Sequence, residues 1–281
     1  MRPGRIASLP WYDLPETRPW LTRLWKSLSW HMSECGLSGV PARLNRRLSV
    51  PHLFCHRRLM FGQCCGYDLV YGYSGCVQLV ATPVFSAPGC EGPRYRSLVI
   101  VRKDCPATDI GGLRGGVCIL NSYNSHSGTN ALREIVAPLS RNGRFFSRVI
   151  ISGGHINSLA ALLAHRGDVM AMDCVMHELL RRHRPAALDE TRVMGCSSLV
   201  PAPPYITSAA TTTDAVEALR NALMALMADN SCRTARDEVL LGGIRILPLQ
   251  SYRRILEVEG AALRHNYTEL HATASEIMAG R

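Results

Sequence analysis

Read as apolar and polar positions, the chain alternates between two periods. Short apolar runs bounded by turn residues, the mark of buried strands, occur at "RIASL" (5–9), "RLMFG" (58–62), "VQLVATPVF" (77–85) and "RSLVIVRKD" (96–104). Between the first two lies "TRPWLTRLWKSLSWHMSECG" (17–36). Its Trp20, Leu21, Leu24, Trp25 and Leu28 recur at helical spacing, and Gly36 supplies a stop.

From about residue 100 the alternation becomes regular. "GVCILN" (116–121) predicts a strand and "GTNALREIVAPL" (128–139) a helix with Leu132, Ile135, Val136 and Leu139 on one face. "FSRVIISGG" (146–154) and "HINSLAALLAHRG" (155–167) repeat the pair, the helix face being Ile156, Leu159, Ala160 and Leu163. "DVMAMDCVM" (168–176) predicts a third strand, "HELLRRHRP" (177–185) a third helix ended by Pro185, and "TRVMGCSSLV" (191–200) a closing strand. After "PAPPYIT" the tail returns to helix, with Val216, Leu219, Leu223, Leu226 and Met227 aligned behind Thr and Asp cap candidates. Strand–helix alternation of this kind predicts an α/β fold. Extended crossings near "YRSLVIV" and "LVPAPPYIT" divide it into a discontinuous first lobe, 1–98 plus 203–281, and a second lobe, 99–202, with a ligand cleft expected between them.

Composition narrows the partners. The 281 residues are 47% apolar, enough for sizeable cores, and carry a formal net charge of +10. Almost all of that positive charge is arginine; Lys26 and Lys103 are the only lysines. The arginines are scattered, which argues against nucleic acid and for a general attraction of small anions. The 11 cysteines show no zinc-ligand spacing, so no metal is expected; several sit in apolar runs and read as buried thiols of a reducing compartment. No apolar run is long enough to insert in a membrane. "MRPGRIASLPWYDLPE" lacks a secretory h-region, so the chain as written reads as cytoplasmic, and as periplasmic if an export signal is missing from it.

Candidate chemistry gathers after the strands, where open α/β sheets place their ligands. "NSYNSHSG" (121–128) follows one strand and opens a helix; "GGHINS" (153–158) does the same. Helix starts offer unpaired N–H groups and a positive dipole end. Ser125, His126 and Ser127 add hydroxyls and an imidazole, and Gly128 lets backbone approach closely. His155 stands at the second start. Either serine also reads as a simple N-cap, and His155 as a structural hydrogen-bonder. Asp173, inside an apolar strand, is a buried carboxylate that needs a partner. No hydrolase elbow, Walker loop, dinucleotide fingerprint or metalloprotease motif is present, so no cofactor is expected.

"QCCGYDLV", "TPVFSAPGCEGPRYRSLVIVRKD", "LRGG", "NSHSGTNALREIVAPL", "FFSRVIISGGHINSLAALLAHRGDVMAMDCV" and "PPYIT" together resemble the phosphate/phosphite/phosphonate substrate-binding proteins of ABC transporters. The resemblance runs from about residue 6 to 260. It implies a two-lobed type 2 periplasmic-binding-protein fold, a ligand cleft between the lobes, and transporter membrane subunits as partners. It assigns ligand-binding roles to Ser125, His126, Ser127, Gly128, His155 and Tyr95, with His126 where phosphonate binders commonly carry threonine. Gln63 to Tyr67 would line the first-lobe side, and Trp11 and Tyr12 would close it. Binders of aminoalkylphosphonates carry two later acidic residues; Val175 and Pro203 stand nearest here, with Asp173 the closest carboxylate, so a smaller oxyanion is expected. The main reading is a non-enzymatic solute-binding protein. The alternative is a cytoplasmic enzyme or ligand sensor on the same fold, using Cys64, Cys65 or an Asp173–His155 acid/base pair on a small metabolite.

Overall fold

Apolar runs become strands where the sequence predicts them, and each group of strands gathers its own core. The structure, a computed structural model, describes residues 4–270. Two units share them: 4–86, 91–94 and 201–251 form the first; 87–90, 95–200 and 252–270 form the second. Residues 1–3 and 271–281, which the sequence boundaries also assign to the first lobe, lie outside the described residues.

The first unit is a five-stranded sheet in the order β1 (Ile6–Ser8), β2 (Leu59–Gln63), β11 (Tyr205–Ser208), β3 (Val77–Phe85), β12 (Leu241–Arg245). β1 and β2 are parallel; β11 runs antiparallel to both β2 and β3. α1 (Arg18–Glu34) buries Leu21, Leu24, Trp25 and Leu28, as its spacing predicts, against α6 (Thr213–Ala228). Their shared core includes Phe61, Tyr205, Leu219 and Leu223. The short helices α2 (Val50–Phe54) and α7 (Arg233–Glu238) complete the unit. Apolar periodicity predicts neither of these short helices, nor β11 and β12, because each is too brief to show a full period.

The second unit is also five-stranded, ordered β7 (Arg148–Ile151), β6 (Val117–Leu120), β8 (Val169–Asp173), β5 (Ser97–Arg102), β9 (Thr191–Cys196). β7, β6 and β8 are parallel, while β5 runs antiparallel to β8 and β9. Two-residue strands β4 (Arg94–Tyr95) and β10 (Val200–Pro201) pair with each other.

Three sequence expectations change here. The strand expected over 168–176 stops at Asp173, whose carboxylate accepts the Met176 N–H at 2.9 Å and so caps α5 (Cys174–His183). The helix α4 (His155–Leu163) turns Ser158, Leu159, Ala161 and Leu162 inward rather than the predicted Ile156, Leu159, Ala160 and Leu163. Ser158 tolerates that burial because Ser152 Oγ lies 2.7 Å from its hydroxyl. Finally, α8 (Arg253–Arg264) packs with the second unit, against α3 (Ala131–Val136), not with the first lobe. Its Ala262, with Tyr267 and Leu270 beyond it, enters the core holding Leu132 and Val136.

Candidate functional site

Parallel strands end at one edge of a sheet, and this gathers the polar segments of the second unit. β6, β7 and β8 deliver Asn121, Gly153–Gly154 and Asp173 there. β5, running the other way, brings its first residue to the same edge, where Ser97 lies opposite Asp173. Tyr95 precedes it and is buried, its ring 6.2 Å from that of His126.

The loop after β6 enters a single π turn, His126–Asn130, before α3. Such turns widen the helical backbone and recur at functional sites. Ser125 is the N-cap: its Oγ accepts the Gly128 N–H at 3.0 Å. Ser127 is not a cap; its Oγ lies 2.9 Å from His155 Nε2 at the start of α4. The same nitrogen stands 3.7 Å from Asp173 Oδ2. Two oxygens, Ser127 Oγ and Asp173 Oδ2, thus face Nε2. Burial holds the His155 imidazole below its ordinary pKa against the raising influence of Asp173, so the ring is neutral. Burial likewise lowers His126 to about 3, helped by the Arg133 charge. His126 is therefore a neutral, buried ring and not a cationic clamp.

Gly128 is dictated by space. A Cβ there would stand 1.8 Å from Asn121 Oδ1 and 3.4 Å from His155 Cε1. Asn121 and Ser97 are additions that the sequence reading did not single out. Both Asn121 Oδ1 and Ser97 Oγ are buried and lack a hydrogen-bond partner among the described residues. The signal that could have found Ser97 was its place one residue past the Tyr95–Arg96 crossing.

In the first unit the same edge rule applies. β1 delivers Trp11 and Tyr12, β2 delivers Gln63, and β11 begins beside it, Tyr205 lying opposite Gln63. Gln63 is buried, and its Nε2 donates to the Pro203 carbonyl at 3.0 Å. Trp11 stacks on Phe54 at 6.1 Å and Tyr12 meets Phe85 edge-on at 5.4 Å. Tyr12 holds φ at +64°, a conformation costly for a bulky residue. The buried Thr17 hydroxyl fixes it by donating to the Tyr12 carbonyl at 2.5 Å. Each unit thus presents one polar and aromatic edge, with Trp11, Tyr12 and Gln63 on one and Tyr95, Ser125–Gly128, His155 and Asp173 on the other.

The Cys64 thiol considered for an enzyme is not activated. Cys64 is fully buried, and burial, with the charges of Asp68 and Cys65, pushes its pKa well up.

Residues 71–250 match the family described as "ABC transporter, phosphonate, periplasmic substrate-binding protein". The chain belongs to this family. Its members are periplasmic substrate-binding components of transporters, as the resemblance in sequence implies. No curated protein sequence matches the chain. Among solved structures, a binding protein component of an ABC phosphonate transporter from Pseudomonas aeruginosa superposes with a TM-score of 0.75 at 17% identity, covering 100% of this chain and 93% of that one. PhnD1 from Prochlorococcus marinus, solved in complex with methylphosphonate, gives 0.72 at 14% identity, covering 93% and 98%. XAC2383 from Xanthomonas citri gives 0.68 at 18% identity, covering 94% and 98%. The fold of this substrate-binding protein is accordingly the type 2 periplasmic-binding fold. Among its described residues no helix is long and apolar enough to cross a membrane.

Proposed function

We propose that this substrate-binding protein captures a small tetrahedral oxyanion of the phosphonate, phosphite or phosphate type for an ABC transporter, and that it works in the periplasm without catalysing a reaction. The observation that carries this is the Ser127–His155–Asp173 chain beside the π turn. Ser125, Ser127, Ser97 and the backbone N–H groups of two helix starts supply donors. Charge-assisted hydrogen bonds of this sort are the strong ones. Asp173, an acceptor, favours a ligand that keeps a P–OH proton over one fully ionised. Within the second unit, the buried Tyr95 supplies aromatic surface for a small organic substituent. Val175 and Pro203 offer no carboxylate to an ammonium group, which points to methylphosphonate or phosphite rather than an aminoalkylphosphonate.

The geometry also speaks against the enzymatic alternative. A Ser-His-Asp hydrolase needs serine and aspartate on opposite imidazole nitrogens. Here both approach Nε2. The comparison with a methylphosphonate-bound relative of the same fold supports the same reading.

Calorimetric titration with methylphosphonate, phosphite, phosphate, 2-aminoethylphosphonate and sulfate tests it. Binding of at least one of the first three, with sulfate and the aminoalkyl compound weaker, is expected. Ser127→Ala should weaken the preferred ligand by one to two orders of magnitude, the worth of about 1.5–3 kcal/mol for a hydrogen bond to a charged group. Silence across the whole panel defeats the proposal.

A further inference from the structure

Two cysteine pairs lie sulfur to sulfur in the fold, and neither takes part in the proposed capture of an anion. Cys90 Sγ is 3.5 Å from Cys174 Sγ, and Cys55 Sγ is 3.7 Å from Cys76 Sγ. The first pair is 84 residues apart in sequence, so its proximity comes from the fold and not from chain continuity.

Both ends of the Cys90–Cys174 pair are fixed. Cys90 closes the tight turn Ala87-Pro88-Gly89-Cys90, its N–H donating to the Ala87 carbonyl at 3.0 Å. Proline and glycine occupy the central positions, and Gly89 takes φ of +96°, as a type II turn requires. The turn passes so near α5 that a Cβ on Gly89 would stand 3.2 Å from Cys174 Cβ. Cys174 is the first residue of α5, and its N–H is held by the Arg96 carbonyl at 3.0 Å. A thiol at a helix start sits at the positive end of the dipole, where the thiolate is stabilised. The hydrogen bond from Cys90 adds to this, holding the Cys174 thiol below its ordinary value and pushing Cys90 up. Cys90 is half-buried and Cys174 buried, so a reagent arriving from solvent meets Cys90 first.

We propose that Cys90 and Cys174 form a dithiol modification site that closes to a disulfide on reaction with a disulfide co-reactant, either a small one of the oxidised-glutathione class or a protein disulfide. Cys174 sheds its proton to solvent first; as Cys90 Sγ attacks one sulfur of the co-reactant, its own proton passes along the hydrogen bond to Cys174 and on to the departing sulfur. That S–S bond breaks, and one thiol leaves. The Cys174 thiolate then attacks Cys90 Sγ, forming the Cys90–Cys174 bond and expelling the second thiol. The two cysteines give up two electrons and two protons, and the co-reactant is reduced to two thiols. Buried thiols suggested a reducing compartment from sequence alone; the spatial pairing points the other way.

Cys55 and Cys76 carry the same inference independently. Both are exposed, at the end of α2 and just before β3, so entry of the co-reactant is direct at either sulfur.

The test holds the full-length protein in oxidised or reduced glutathione buffer, blocks remaining thiols with N-ethylmaleimide in acid, digests with pepsin without reduction, and locates linked sulfurs by tandem mass spectrometry. The oxidised sample should yield Cys90–Cys174 and Cys55–Cys76 links, each absent after reduction. Oxidation should raise the Tm by several degrees, because each link constrains the unfolded chain. Cys90→Ser should abolish the first link and its share of the shift while leaving the second. Recovery of Cys90 and Cys174 as blocked thiols after oxidation, or linkage of either to another cysteine, overturns the first site. The same outcomes at Cys55 and Cys76 overturn the second. No anion is needed for any readout, so failure here is distinct from failure of the proposed function.

Discussion

Gly128 sits where a side chain has no room, and that is a residue-scale fact with a measurable price. A methyl group there drives into the buried amide of Asn121, 1.8 Å away. Gly128→Ala should cost about 1–3 kcal/mol by overpacking. Asn121→Ala in the same chain should recover most of that loss, because the two changes share one clash. Denaturant unfolding of the two single variants and the double variant reads the coupling; strict additivity contradicts the contact. A second residue-scale expectation concerns Asp68, whose pKa burial raises to about 7, against a lowering hydrogen bond from the Cys65 backbone. The folded protein holds this proton up to about pH 7, whereas the unfolded chain loses it near 4. Stability from that proton is therefore complete below about pH 4 and is lost as pH climbs through 7. Asp68→Asn has no such proton to lose. Its stability relative to the natural protein should grow by up to about 1.4 kcal/mol per pH unit across that window and then level off. A pH-independent difference would mean that Asp68 titrates normally. Residues of this kind were only partly legible. Ser125, Ser127 and His155 announced themselves as polar groups at helix starts, but which serine caps and which meets the imidazole depends on the π turn, which local pattern does not encode.

Among the elements, the π turn and α3 depend on a buried cation. Arg133 is 2% exposed; its Nη1 reaches Asn130 Oδ1 at 2.6 Å and Glu259 Oε1 at 3.0 Å, and its Nη2 donates to the Leu270 carbonyl. Asn130 is the last residue of the π turn. One guanidinium thus ties the π turn, α3 and α8 together. Arg133→Ala should destabilise the second unit by about 2–3 kcal/mol, since it removes the guanidinium hydrogen bonds to Asn130, Glu259 and the Leu270 carbonyl. Glu259→Gln, which keeps one hydrogen-bond acceptor, should cost less; thermal unfolding of the two variants gives the order. The strands and long helices were readable because their apolar periods are long: β3 runs over the predicted 77–85, and α1 and α6 bury the predicted faces. The rotation of α4 was not, since Ser158 is buried by a hydrogen bond that hydrophobic spacing ignores.

For the whole molecule, neither unit is continuous in sequence. The first takes its β11 and β12 from beyond residue 200, and the second takes α8 from beyond 252. Deleting everything after Ser251 should therefore unfold the second unit, although its sheet is complete without that segment. Circular dichroism melting of the shortened chain should show loss of a cooperative transition, and an unchanged melt would mean that α8 is dispensable. The sequence boundaries assigned this segment to the first lobe because helical pattern says nothing about which sheet a terminal helix covers. The family, by contrast, was legible across most of the chain, since its motifs stand in order from the end of β2 to "PPYIT".

The clamp around Arg133 sets an order of events during synthesis. Its acid and its carbonyl acceptor come 126 and 137 residues after it. As the chain leaves the ribosome, the serines, the histidine and the aspartate emerge first and wait without their support. A nascent chain halted before Glu259 carries every group of the proposed anion cradle in its primary structure but not the acid that ties the π turn to α8.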